Sequence, residues 1–270
     1  MGEVRMKVQL VGSNEEAIKE FWDGQAKQHG ASDKATAPDS AYRQLEIDAI
    51  IPHIEGRWIC DVGCGNGYST FKFKDAYPHK AFLGVDYSQA MVTAANVAAI
   101  VIHSDVSFVT CDVRKLSRLK VAKFHTIISE RCLINLQTWE EQQQAILEMK
   151  QCLLPEGKLI LVENFIDGLN NLNKLREQFA LQQILVRWHN RYLHSAEFHK
   201  FIEKEFYIKH QENIGNLYYI ISRVVYAKLC QLDGTEPQYG AEINRIAAKL
   251  PPLGVYNYSP NMMYVLEAKG

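Results

Sequence analysis

No apolar run in the 270-residue chain approaches the ~18 residues that a membrane-spanning helix needs. There is almost no net charge either: 30 Lys and Arg stand against 31 Asp and Glu, a formal −1. A protein held on nucleic acid by bulk phosphate attraction needs a basic surplus, so no nucleic-acid partner is expected. The opening MGEVRMKVQLVGSNEE lacks a secretory apolar stretch and soon turns acidic. Met6 stands where an N-myristoylation signal wants Ser or Thr. No membrane partner is expected, and the expected location is cytoplasmic. The six Cys at 60, 64, 111, 132, 152 and 230 are scattered, and no second pair or His cluster completes a zinc site beside Cys60 and Cys64. Buried, reduced thiols and no metal are the expectation. Internal repeats and low-complexity segments are also missing.

What is present is enough apolar material, 47% of residues, for a large core. From Arg57 to Asn164, short apolar runs alternate with helical patterns. RWICDV, AFLGVD, VSFVTCD and FHTIIS read as four strands. A fifth follows a turn at Pro155–Gly157 in LLPEGKLILVENF. Between them YSTFKFKDAY, SQAMVTAANVAAI (Ser88 as N-cap) and TWEEQQQAILEMKQCL read as helices. Such alternation predicts an α/β fold with a parallel sheet covered on both faces. The flanks differ. AYRQLEIDAIIPHI reads as an amphipathic helix, residues ~168–205 as helical, FYIKHQENI as a further strand, NLYYIISRVVYAKLC as a helix and MMYVLEAK as a last strand.

The stretch ICDVGCGNGYST, Ile59 to Thr70, places a glycine loop between a strand and a helix. Such a loop lets a ligand approach the backbone beside free N–H groups. The dinucleotide fingerprint G-x-G-x-x-G fails, because Tyr68 occupies its last glycine position. What stands instead is Asp61-x-Gly63-Cys64-Gly65-x-Gly67. This resembles motif I of the class I S-adenosylmethionine-dependent methyltransferases, and the resemblance covers roughly Arg57 to Glu163 plus the terminal strand. It implies S-adenosylmethionine as cofactor, with the loop Gly63, Cys64, Gly65 and Gly67 against it and Asp61 organising the site near the methionine amine. By the same resemblance Asp86 takes both ribose hydroxyls, Tyr87 and Met91 flank the adenine, Asp112 meets the adenine amino group and Val113 donates from its backbone. Glu130 and Arg131 fall beside the reactive methyl.

The flanks supply candidates for the acceptor. RWHNRYLHS carries His189 as base or substrate contact, with Tyr192 and His194; a satisfied structural His is the plainer alternative. Tyr218, Tyr219 and Arg223 lie in NLYYIISR, and Tyr219 and Arg223, four apart, would share a helix face able to bind an anionic substrate. Glu163 and Asn164 end the fifth strand, at the crevice where open α/β sheets bind ligands. Tyr42 and Arg43 are placed to reach the methionine carboxylate from an N-terminal lid that also presents Trp22. The expected fold is therefore a Rossmann-like doubly wound seven-stranded sheet, mostly parallel with an antiparallel last strand. Its single domain, 1–270, comprises a helical lid (1–55), a cofactor-binding core (56–166), helical cap insertions with the sixth strand (167–255) and the last strand (256–270). The expected activity is methyl transfer to an O or N atom of a small polar metabolite, with a homodimer allowed. The alternatives are a protein or RNA methyltransferase, a metal-assisted hydroxyl methyltransferase without identified ligands, and a catalytically silent cofactor-binding protein.

Overall fold

The computed structural model describes residues 15–119, 123–251 and 257–269. Seven strands, β1 Trp58–Val62, β2 Ala81–Asp86, β3 Ser107–Thr110, β4 Phe124–Glu130, β5 Leu153–Asn164, β6 Phe206–Asn213 and β7 Asn261–Ala268, form one sheet in the order 3-2-1-4-5-7-6. Pairings from β3 through β5 are parallel. Strand β7 runs antiparallel between β5 and β6. The order reverses between β1 and β4, which opens a crevice at their carboxyl ends.

The strands are apolar throughout because both sheet faces are covered. Cys60, Ile127, Leu159, Leu161 and Leu266 point to one face, against Ile146 and Met149 of α5 (Trp139–Gln151) and Phe198 and Ile202 of α7 (Ser195–Glu205). Their neighbours Ile59, Ile128, Ile160, Val162 and Val265 point to the other. There they meet Ile47 and Ile50 of α2 (Ser40–Ile50), Phe73 of α3 (Tyr68–Ala76) and Val92 of α4 (Gln89–Val101). Residues one apart thus serve opposite cores, as the pleat requires. Ser88 caps α4 as its sequence predicts, accepting from the Met91 N–H at 3.1 Å. Thr138 and Glu141 close a capping box on α5.

Three expectations change. Pro155–Gly157 does not precede the fifth strand but lies inside β5, where the register against β4 shifts and Glu156 takes φ +62°. The 168–205 region is not continuously helical. Helix α6 (Ile166–Gln178) ends, and 181–194 runs irregularly to a bridge between Phe165 and Leu193 before α7. RWHNRYLHS is held there by contacts across the fold; Arg191 N–H, for example, donates to Ile134 at 2.6 Å. Of the six free cysteines, Cys111 and Cys132 are only partly buried.

After β6 come α8 (Asn216–Tyr219), a π-helical stretch Ile220–Val225, α9 (Tyr226–Asp233) and α10 (Glu242–Ala247). At the N-terminus α1 (Glu15–His29) packs on α4. Among the described residues no helix is long and apolar enough to cross a membrane.

Candidate active site

The floor of the site is the loop between β1 and α3. Gly63 (φ +76°) and Gly65 (φ +53°) adopt left-handed backbone that favours glycine. The N–H groups of Gly63 and Cys64 both donate to Val85 at 2.7 and 3.1 Å, fastening the loop to β2. Asp86, at the end of β2, accepts from Gly65 N–H at 2.9 Å through Oδ2 and from Ser88 N–H at 2.8 Å through Oδ1. Tyr87 N–H also bears on it; a carboxylate offers about four lone-pair sites, so acceptor capacity remains for a hydroxyl ligand. Asp61 accepts from the Thr70 hydroxyl of α3 at 2.5 Å. Burial pushes its carboxyl up to about 7, with the nearby charges of Glu130 and Asp86 adding to the effect. Burial raises Asp86 as well.

Residues 15–43 form the roof. Asn66 of the loop donates to Gly30 at 2.8 Å and Ser32 at 2.7 Å. Ser88 donates to Asp23 at 2.5 Å, and Trp22 donates to Asn135 at 3.1 Å. Loop and roof are in direct contact: a Cβ on Gly65 would lie 2.6 Å from Thr36 Cγ2. Between floor and roof lies a cleft of about 1730 Å³ including its open mouth.

Of the sequence candidates, Trp22, Tyr42, Arg43, Asp61, Gly63, Cys64, Gly65, Asp86, Tyr87, Met91, Asp112, Val113, Glu130, Arg131, Asn164, His189, Tyr192, Tyr219 and Arg223 line this cleft. Four do not. Gly67 instead caps α3 at φ +79°. His194 precedes α7. Tyr218 turns inward and donates to Asp39 at 2.7 Å. Glu163 accepts from Leu133 N–H at 2.8 Å beneath the site, where burial pushes its carboxyl up to about 8. Asp112 lines the cleft, but Arg114 holds both its oxygens, Nε to Oδ1 at 3.0 Å and Nη2 to Oδ2 at 2.6 Å. Arg114 also pairs with Glu141 at 2.6 Å and Glu15 at 2.5 Å, joining roof, α5 and the β3 end.

Beyond the floor the cleft is rich in guanidinium groups. Arg43 lies over the Tyr68 ring at 5.3 Å and donates to the Asp33 carbonyl at 3.1 Å. Arg131 has φ +52°, and its Nη2 meets Glu46 at 3.0 Å. Glu46 is fully buried and accepts from Asn261 at 2.9 Å; burial pushes its carboxyl up to about 7. Arg223, in the π-helical stretch, pairs with Asp39 and lies 5.1 Å from the Tyr239 ring. His189 stacks on Phe21 at 4.4 Å. Burial, helped by the charge of Arg187, pushes its imidazole down to about 4. Buried atoms without a partner include Arg43 Nε, Glu130 Oε1, Arg131 Nε and His189 Nδ1. Asp39, Glu46, Arg114 and Tyr239 are participants that the sequence did not single out. Asp39 alone carried a signal, as the N-cap of α2, accepting from Tyr42 N–H at 3.2 Å. Among the described residues no group of three or more His, Cys, Asp or Glu is arranged to hold a metal ion.

Residues 59–157 match a family model described as a methyltransferase domain. A malonyl-[acyl-carrier protein] O-methyltransferase of Halalkalibacterium halodurans is 29% identical over 130 residues, 47% of this chain and 45% of that protein. This chain therefore spans about half the length of that relative. Among solved structures, the PH0226 protein of Pyrococcus horikoshii matches with a TM-score of 0.60 at 17% identity over 93% of this chain and 99% of that one. The magnesium protoporphyrin IX methyltransferase of Synechocystis, with bound S-adenosylhomocysteine, matches with a TM-score of 0.56 at 16% identity, covering 93% and 94%. At such identities the structural matches establish the fold, and the family model places the glycine loop and the strands behind it in a methyltransferase core. Over residues 59–157, the chain is similar to the methyltransferase domain that this family model describes.

Proposed function

We propose that the protein transfers a methyl group from S-adenosylmethionine to an O or N atom of a small polar metabolite. The observation that carries this reading is the carboxylate of Asp86. It is fixed by the backbone N–H groups of Gly65 and Ser88, with Tyr87 N–H also bearing on it, and it lines a cleft floored by Gly63 and Gly65. That arrangement fits a ribose diol on a glycine loop. When bound, the cofactor supplies an electrophilic methyl for in-line displacement.

The protein's own residues then have distinct tasks. Asp86 holds the ribose hydroxyls, and Tyr87 and Met91 wall the adenine. Asp61 and Glu130 face the methionine amine. Tyr42 and Arg43, brought in by the roof, face its carboxylate. Asp112 contributes less than its sequence position implies, since Arg114 occupies its carboxylate; the Val113 backbone is the remaining contact there. The roof and the 181–194 segment exclude water, which strengthens polar contacts inside. For a hydroxyl acceptor, a proton must leave as the methyl arrives. His189 Nδ1 is a buried atom without a partner, and burial keeps the imidazole neutral, with a ring nitrogen open toward that proton; at about 4 it is a weak base until the acceptor's own charge raises it. In this reading the lid is residues 15–55 and the cap 167–251, with 56–119 and 123–166 holding the cofactor; the rest of the expected lid, core and cap (1–14, 120–122, 252–255) lies outside the described residues.

Isothermal calorimetry with S-adenosylhomocysteine and with NAD tests the cofactor assignment. Binding of the former with no heat from the latter is expected. NAD binding without S-adenosylhomocysteine binding would overturn it.

A further inference from the structure

We infer that the methyl acceptor is an anion, and that its carboxylate or phosphate sits between Arg131 and Arg187 beside Tyr192. This rests on the methyltransferase reading and names the substrate class of the same cleft.

The argument starts from donors. A guanidinium has five N–H groups and no acceptor, so a buried Nε without a partner is a standing demand for an acceptor atom. Arg43 and Arg131 each line the cleft with such an Nε. Arg43 and Arg131 are near enough for each to feel the other's charge, but each Nε is a separate donor, and the cofactor brings a single carboxylate. Arg43 lies against Tyr68, the first residue of α3, on the glycine-loop side. Arg131 follows β4, and Glu46 and Asn261 fix its far edge. One carboxylate on Arg43 leaves Arg131 Nε without an acceptor, while Glu46 holds the Nη2 of the same guanidinium.

Arg187 sharpens the case. It lines the cleft, it is exposed, and it makes no ion pair among the described residues. Tyr192 lines the cleft with both; burial raises its phenol, and the charges of Arg187 and Arg131 both reach it and oppose that rise. The other cap arginine that lines the cleft is already taken. Arg223, which the sequence offered as the anion ligand, is paired with Asp39 and ringed by Tyr218, Tyr219 and Tyr239 at 5.8, 5.4 and 5.1 Å. The fold thus neutralises Arg223 and leaves Arg187 open. The result is an open Nε on Arg131 and an unpaired guanidinium on Arg187 in one cleft, donors suited to recognition of a carboxylate or phosphate.

The test is calorimetry at low ionic strength with malonate, inorganic phosphate and uncharged glycerol as probes. Protein alone should take up two anions, one at Arg43 and one at Arg131–Arg187. Protein saturated with S-adenosylhomocysteine should take up one, and glycerol should give no heat in either state. Malonate binding alone points to a carboxylate acceptor and phosphate binding alone to a phosphate; both together leave the anion class standing. Arg187→Ala, at an exposed position, should weaken the remaining site roughly tenfold or more while leaving S-adenosylhomocysteine affinity unchanged. If the S-adenosylhomocysteine complex binds no anion, or Arg187→Ala binds it as wild type does, the inference is wrong and the methyltransferase reading survives. If S-adenosylhomocysteine itself does not bind, the cofactor reading fails first.

Discussion

Asp39 and Arg223 lie 184 positions apart in the chain, and their side chains meet at 2.5 Å. Asp39 belongs to the roof and caps α2; Arg223 belongs to the π-helical stretch beyond β6. π-Helical segments are rare and often fall at functional sites. Here the stretch presents Arg223 to the cleft, and the same aspartate also accepts from Tyr218. One carboxylate therefore ties the N-terminal segment to the cap over the mouth of the site.

Asp39→Asn should separate the charge from the cap. Asparagine still caps a helix, but Arg223 loses its counter-ion in a mostly buried place. A loss of about 2–3 kcal/mol is expected, read as a lower midpoint in denaturant, with faster proteolysis in residues 15–43. Asp39→Ala should cost about 1 kcal/mol more through the lost cap. Equal stability of the Asn variant and wild type would show that the pair contributes nothing.

Asp86→Ala should leave the fold intact and raise the dissociation constant of S-adenosylhomocysteine. Two charge-assisted hydrogen bonds to a diol are worth about 1.5–3 kcal/mol each, a combined weakening of at least about a hundredfold. Circular dichroism checks the fold and calorimetry the affinity. An unchanged affinity would mean the diol is held elsewhere.

Gly65→Ala should damage the site in two separable ways. Alanine at φ +53° carries backbone strain of about 1–2 kcal/mol. Its Cβ would also press on Thr36 Cγ2, 2.6 Å away. Adding Thr36→Ser removes that methyl, so the double variant should recover part of the cofactor affinity lost by Gly65→Ala. No recovery would place the whole cost in the backbone.

Stability without cofactor should fall as pH rises from 6.5 to 8. Burial raises Glu46 and Asp61 to about 7 and Glu163 to about 8, from ordinary values of 4.5, 3.8 and 4.5. The folded chain therefore keeps protons that the unfolded chain has already released, and the stability they confer disappears as pH climbs through the folded values. His189 works the other way, with a folded value of about 4 against 6.5, but only below about pH 6.5. Differential scanning calorimetry across the window should show the decline. Glu163→Gln, which keeps an acceptor for Leu133 N–H, should flatten it; an identical slope in that variant would clear Glu163 of any part.

The sequence alone determined the core. Strands buried on both faces must be apolar at nearly every position, so Ile59–Val62 and Leu159–Val162 announce themselves locally. The glycine spacing from Gly63 to Gly67 and the Asp86 that ends β2 are also local, because loop conformation and strand end lie within a few residues of the signal. The tertiary structure decided what the acceptor end became. Whether Arg223 is free or neutralised depends on Asp39. Whether Arg131 is fixed depends on Glu46 and on Asn261, which bonds to Glu46 across 215 positions. Whether Asp112 is open depends on Arg114 and its ties to Glu15 and Glu141. The stretch around His189 reads as helical but runs irregularly with a turn from Arg187 to Asn190, since its partners, Phe21 and Ile134, come from other parts of the chain. Pairings between distant charges leave no periodic trace in the sequence, and only the folded chain brings their partners together.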